Sequence, residues 1–193
     1  MDITGEALDR LLFALAEQLQ ALDARVEIVV IGGSALLALG LIARPTRDVD
    51  IVALAESGQL VPANPLPPAL RLAQGRVARD FGLQPDWLNA GPTDLLRFGL
   101  PEGFWSRVTT RSYGPSLDTH FASRLDQIHF KLYAVVDQRG GRHEVDLRAL
   151  GPTPDELIAA ARWSMTHDPS PGYRIVLEQA LQHLGVEDVD LDA

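Results

Sequence analysis

Val30-Ile31-Gly32-Gly33-Ser34-Ala35, followed by Arg44-Pro45-Thr46-Arg47-Asp48-Val49-Asp50-Ile51-Val52, reads as a buried strand, a glycine turn, a short helix and a second strand. Alternation along that second strand points Asp48 and Asp50 one way and Val49 and Ile51 the other. Two like charges held so close repel unless a cation sits between them. A turn that exposes backbone amides beside a carboxylate pair suits metal-assisted chemistry on a phosphate. The pair is far more specific than either half. The turn lacks the Gly-x-Gly-x-x-Gly spacing of a dinucleotide fold and the Gly-Lys-Ser/Thr of a P-loop.

Working outward, Ala7, Leu8, Leu11, Leu12, Leu15, Leu19 and Leu22 recur at helical spacing behind Thr4, an N-cap residue, and predict a helix over 4–22. Arg25–Ile31 and Arg47–Ala53 are expected strands, and Ser34–Gly40 is an expected helix. Pro62, Pro65, Pro67 and Pro68 mark a loop, and Ala69–Phe81 is an expected helix closed by Gly82. Residues 82–105 read as loops and short helical turns. Trp105–Ser112 and Ser116–Ala122 are expected strands around Tyr113-Gly114-Pro115. Arg124–Asp137, His143–Leu150, Pro154–Met165 and Tyr173–Leu184 are expected helices, with a break at Gly140-Gly141 and a frayed acidic tail over 186–193.

Bulk composition narrows the function classes. The chain has 193 residues, a length for one domain and at most a small appendage. It has no cysteine, so no disulfide framework, thiolate zinc site or cysteine nucleophile is available. No apolar run is long enough to span a bilayer, and the first residues lack a basic signal-peptide start, so the expected location is cytoplasmic, with no membrane partner. A net charge of −9 argues against a broad nonspecific grip on nucleic acid, while the arginines between Arg97 and Arg111 leave room for a local basic groove.

Each candidate residue has a plainer alternative. Gly32, Gly33 and Ser34 form either a phosphate cradle or an ordinary turn. Asp48 and Asp50 sit in an apolar strand, where hard oxygen ligands favour Mg²⁺ or Mn²⁺ over zinc. Arg44 and Arg47 suit a triphosphate or nucleic acid, or a simple ion pair with Asp48. Thr46 shapes the loop ahead of the strand. Trp87 and Trp105 either stack on a base or pack in the core. Asp118 is a rival third carboxylate, with solvent exposure as the alternative.

These residues resemble the nucleotidyltransferase superfamily with the polymerase-β-like fold. Its pattern of a hydrophobic residue, Gly, Gly or Ser, a spacer, and then an acidic, a hydrophobic and an acidic residue appears as Ile31-Gly32-Gly33-Ser34 and Asp48-Val49-Asp50. The fuller form through Arg44-x-Thr46-x-Asp48-Val49-Asp50 is similar to the abortive-infection nucleotidyltransferase toxins of toxin–antitoxin systems and their uncharacterised bacterial relatives. Lys131-Leu132-Tyr133-Ala134 and Arg142-His143-Glu144-Val145-Asp146-Leu147 resemble a downstream segment of that branch, and Trp87-Leu88-Asn89 is similar to a loop in the relatives. His143-Glu144 departs from the branch's Lys-Asp or Arg-Asp.

The resemblance implies an α+β fold: a small mixed sheet flanked by helices, with a helical C-terminal region. It implies a core over 1–123 and a helical region over 124–193 that completes the active site, the two forming one domain in the alternative reading. Asp48 and Asp50 would hold Mg²⁺ or Mn²⁺, while Gly32, Gly33, Ser34, Arg44 and Arg47 would bind the nucleotide. Lys131 would neutralise phosphate charge, and Asp146 would serve as a third carboxylate or base. Their plainer readings are a snorkelling surface lysine and a salt bridge from Asp146 to Arg142 or Arg148. The implied reaction moves a nucleoside monophosphate from a nucleoside triphosphate to an acceptor hydroxyl, on an RNA 3′ end such as that of a tRNA, or on a protein. A toxin role with a cognate antitoxin follows from the same branch. The alternatives are a nucleotide-binding module without turnover and a small-molecule nucleotidyltransferase.

Overall fold

The computed structural model describes residues 2–138, 141–186 and 190–191, in two compact units, Met1–Ser123 and Arg124–Ala193. The expected break at Gly140 and most of the acidic tail lie outside the described residues.

The first unit is built on one mixed sheet. Its strands are β1 (Val26–Ile31), β2 (Val49–Glu56), β3 (Gln59–Val61), β4 (Leu88–Asn89), β5 (Thr109–Ser112) and β6 (Leu117–Phe121), in the order β3-β2-β1-β6-β5, with β4 also on β2. β1 runs antiparallel to β2 and parallel to β6, and β4 lies parallel to the start of β2. Helix α1 (Gly5–Ala21) starts at Thr4, whose hydroxyl accepts the Ala7 N–H at 3.4 Å. Leu8, Leu11, Leu12, Leu15 and Leu19 are fully buried along its inner stripe, each contributing about 1.5–3 kcal/mol by leaving water. Helix α3 (Pro68–Phe81) has proline in its first turn and ends at Gly82 in the left-handed conformation, φ 65°. Both helices share a core cluster with Ile28, Val30, Val49, Ile51, Leu117 and Phe121 of the sheet.

Register determines what the other face carries. Val29 pairs with Ala53 but Val30 pairs with Ile51, so Val52 is an extra residue in β2. This bulge re-phases the strand, so that Ile51 and Leu54 both join the core while Asp50 stays on the opposite face beside Ile31. Helix α2 (Gly32–Ala38) follows β1 directly.

Two expectations are corrected here. Trp105 does not open a strand: Phe104–Arg107 forms one helical turn (α5), and the strand begins at Thr109. Gly103 at φ 71° starts that turn, the Ser106 hydroxyl donates to the Gly103 carbonyl at 2.8 Å, and Phe104 is buried, so local packing overrides the β-preference of Trp105 and Val108. Residues 82–105 hold the expected short helical turns, a 3-10 turn at Gly91–Thr93 and α4 (Asp94–Phe98), but also a short strand, β4, that was not expected.

The second unit is helical: α6 (Arg124–Gln138), α7 (Arg142–Ala149), α8 (Pro154–Met165) and α9 (Pro171–His183). Thr153 and Glu156 form a reciprocal capping box at α8, and Glu156 also takes a forked pair of bonds from Arg124 at 2.7 and 3.1 Å. Trp163 packs edge-on against His129, Phe130, Tyr133 and His167. No helix among the described residues is long and apolar enough to cross a membrane.

The hydrogen bond from Arg124 holds the Glu156 carboxyl below its ordinary value of 4.5. A depressed folded-state value means that this bridge stabilises fully above about pH 4.5 and is lost as pH falls through the lowered value. Both groups are partly exposed, so the effect is screened to about 1 kcal/mol or less. Urea midpoints are expected to favour the wild type over Glu156→Gln near neutrality, with the gap closing in acid. A gap that widens in acid contradicts this assignment.

Candidate active site

Val49 and Ile51 are fully buried, while Asp50, between them in β2, and Asp48, one residue ahead of β2, are half-buried. Asp50 pairs in register with Ile31, the residue just ahead of the glycine turn. Gly32 has φ +73°, and a Cβ built on it would meet Asp50 Oδ2 at 2.6 Å. A Cβ on Gly33 would meet Thr46 Oγ1 at 2.9 Å and Arg44 Nη2 at 3.8 Å. Glycine is therefore required twice: the space beside the turn belongs to the side chains of Asp50 and Thr46.

Each carboxylate has a neutral donor. The Thr46 hydroxyl donates to Asp48 Oδ1 at 3.3 Å. Asn89, in register with Asp50 across β4, donates through Nδ2 to Asp50 Oδ1 at 3.1 Å and accepts the Gly91 N–H at 3.0 Å. The sequence reading marks Asn89 only as part of a similar loop and Thr46 only as a loop shaper. The available signal was Asn89-Ala90-Gly91-Pro92, an Asx-turn pattern that occupies the side-chain oxygen and turns the amide nitrogen elsewhere.

The other expected residues fall as follows. Ser34 is fully buried, and its hydroxyl donates to the Ile31 carbonyl at 3.4 Å, so it serves the turn's own backbone. The Arg44 guanidinium reaches the turn while also donating to the Pro45 carbonyl at 3.2 Å, and Arg47 is exposed. Asp118 pairs with Glu27, four residues along β1 from Ile31, which puts it roughly 13 Å from the Asp50 register. Ser112, and then Arg25, hold its carboxyl below the ordinary range. Trp87 is core, its Nε1–H donating to the Gln74 carbonyl at 3.2 Å, and Trp105 packs on His120 with ring centroids 4.7 Å apart. Among the described residues no cluster of three or more His, Asp or Glu is arranged to hold a metal.

Within the second unit, Lys131 and Asp146 meet each other. Nζ lies 2.7 Å from Oδ2, with side chains 5% and 1% exposed, so α6 and α7 are joined by a buried ion pair. His143 bonds Gln138 Oε1 at 3.0 Å, and Glu144 bonds both Arg148 and His183. Lys131→Met leaves Asp146 buried and is expected to cost about 3–5 kcal/mol of stability, whereas Lys131→Met with Asp146→Leu recovers most of it. Chemical denaturation of the three proteins checks this, and equal stability of the single variant and wild type contradicts it.

Residues 8–66 match a family model described as "Nucleotidyltransferase of unknown function (DUF6036)". This match supports the nucleotidyltransferase superfamily. It takes in both the glycine turn and Asp48-Val49-Asp50. The mixed sheet with flanking helices is consistent with that fold. No curated protein and no solved structure matches the chain.

Proposed function

We propose that this chain is a metal-dependent nucleotidyltransferase that moves a nucleoside monophosphate from a nucleoside triphosphate to an acceptor hydroxyl. The observation that carries the reading is the seating of Asp50 against Gly32, where a Cβ would meet Asp50 Oδ2 at 2.6 Å, so that the glycine turn and the carboxylate share one space. Asp48 and Asp50 fit Mg²⁺ or Mn²⁺: such ions take one or two carboxylates and fill their remaining positions with water and substrate phosphate oxygens. Bound there, the ion would supply charge neutralisation on the triphosphate and lower the pKa of the acceptor hydroxyl.

The acceptor oxygen bonds to the α-phosphorus, the bond from that phosphorus to the bridging oxygen of pyrophosphate breaks, and the acceptor proton leaves to a base. The residues at the turn act by binding and orientation. Gly32 and Gly33 let the phosphates approach the backbone, and Arg44 and Arg47 add positive charge. The resemblance assigns Lys131 to the phosphate and Asp146 to the acceptor proton; here the two are paired with each other and buried, so those roles would require the pair to part. The acceptor we favour is an RNA 3′ end or a protein, and a toxin role with an antitoxin partner rests on that same resemblance.

A second reading, a nucleotide-binding module without turnover, is favoured by one observation. His143 and Glu144, which stand where the resembling toxins carry a basic residue and an aspartate, are engaged by Gln138, Arg148 and His183. Purified protein is incubated with each α-labelled ribonucleotide, Mn²⁺ and a mixed RNA and protein pool. Pyrophosphate release with label in one acceptor class supports the transferase. Nucleotide binding without release selects the module.

A further inference from the structure

We infer that Thr46 and Asn89 are positioning residues that hold Asp48 and Asp50 in the stance a divalent cation requires. The inference rests on the nucleotidyltransferase reading in naming the cation, and otherwise on hydrogen-bond geometry.

Thr46 has a fixed address. It is buried, and its backbone exchanges two hydrogen bonds with Ile3, at 2.7 and 2.9 Å. Its hydroxyl lies between Gly33 and Asp48, donating to the latter. Asn89 is fixed as firmly. The Gly91 N–H can only donate, so it claims Oδ1 and leaves Nδ2 to Asp50. β4 itself is two residues long, and its register places Asn89 opposite Asp50.

Both donors are uncharged. A lysine or arginine in either place would orient the carboxylate but also neutralise the charge that attracts a cation. A hydroxyl and an amide orient it without adding a neutralising charge of their own. Each carboxylate has about four lone-pair sites, and each donor occupies one. Groups that orient metal ligands in this way typically set affinity by about 10–100-fold.

The test uses the full chain and Mn²⁺ alone, titrated by the paramagnetic resonance signal of the free ion, with melting curves in parallel. Thr46→Val and Asn89→Ala are each expected to weaken Mn²⁺ binding about tenfold or more. Thr46→Ser, which restores the hydroxyl, is expected to return affinity to within about twofold of wild type. Wild-type affinity in both Thr46→Val and Asn89→Ala, whatever their melting temperatures, overturns the inference and leaves the transferase reading standing. Failure of the wild-type chain to bind Mn²⁺, with or without nucleotide, overturns that reading and this inference together.

Discussion

Asp50→Asn and Asp48→Asn are each expected to reduce pyrophosphate release by at least about a thousandfold, equivalent to roughly 4 kcal/mol of lost transition-state stabilisation. Both substitutions are isosteric, and both side chains are half-buried rather than packed in the core. The amide that Asp50→Asn introduces can still accept from Asn89 through its oxygen while the charge is lost. The double variant should lose little beyond either single one, because the pair works as a unit. Transfer at near wild-type rate by either variant removes the cation from the proposed mechanism, whatever becomes of the fold.

The sequence shows the site's skeleton and hides its supports, for physical reasons. The leucine stripe of α1 and the buried β1 are strong periodic signals because each element buries a whole face. The Asp-Val-Asp alternation is legible because it interrupts apolar residues. β3 is not legible from hydrophobicity: it is a three-residue edge strand, exposed or half-exposed throughout, and it is announced only by the two-residue turn Ser57-Gly58, where both residues have positive φ. β4 is hidden for a similar reason, since two residues show no period. Its partner on β2 lies about forty positions away, and only tertiary pairing reveals that Asn89 faces Asp50. The Lys131–Asp146 pair is a third case. Each residue is visible in the sequence as a charged group within a helical pattern, but their contact depends on how α6 and α7 pack.

Gly32→Ala is expected to bring transfer down nearly as far as loss of Asp50 itself, and a matched substitution separates the two causes. At φ +73°, alanine carries the strain of a left-handed backbone, about 1–2 kcal/mol. Gly40 has a similar φ of +68° and nothing within 4 Å of an added Cβ, so Gly40→Ala suffers that strain alone. At Gly32 the new methyl would also lie 2.6 Å from Asp50 Oδ2, a distance that forces the carboxylate aside. Asp50 cannot move without loosening its bond to Asn89, so the methyl group acts on the carboxylate that the proposed cation needs. Both variants carry the backbone strain of about 1–2 kcal/mol and Gly32→Ala carries the clash as well, so Gly32→Ala should melt below Gly40→Ala and fall behind it in pyrophosphate release by about a hundredfold or more. Equal activity in the two would mean that the space beside Gly32 is spare room, and that Asp50 can work from a second position. A loss of activity in Gly32→Ala with unchanged Mn²⁺ affinity would instead assign the damage to the turn's own amides, and so to the phosphates rather than the metal.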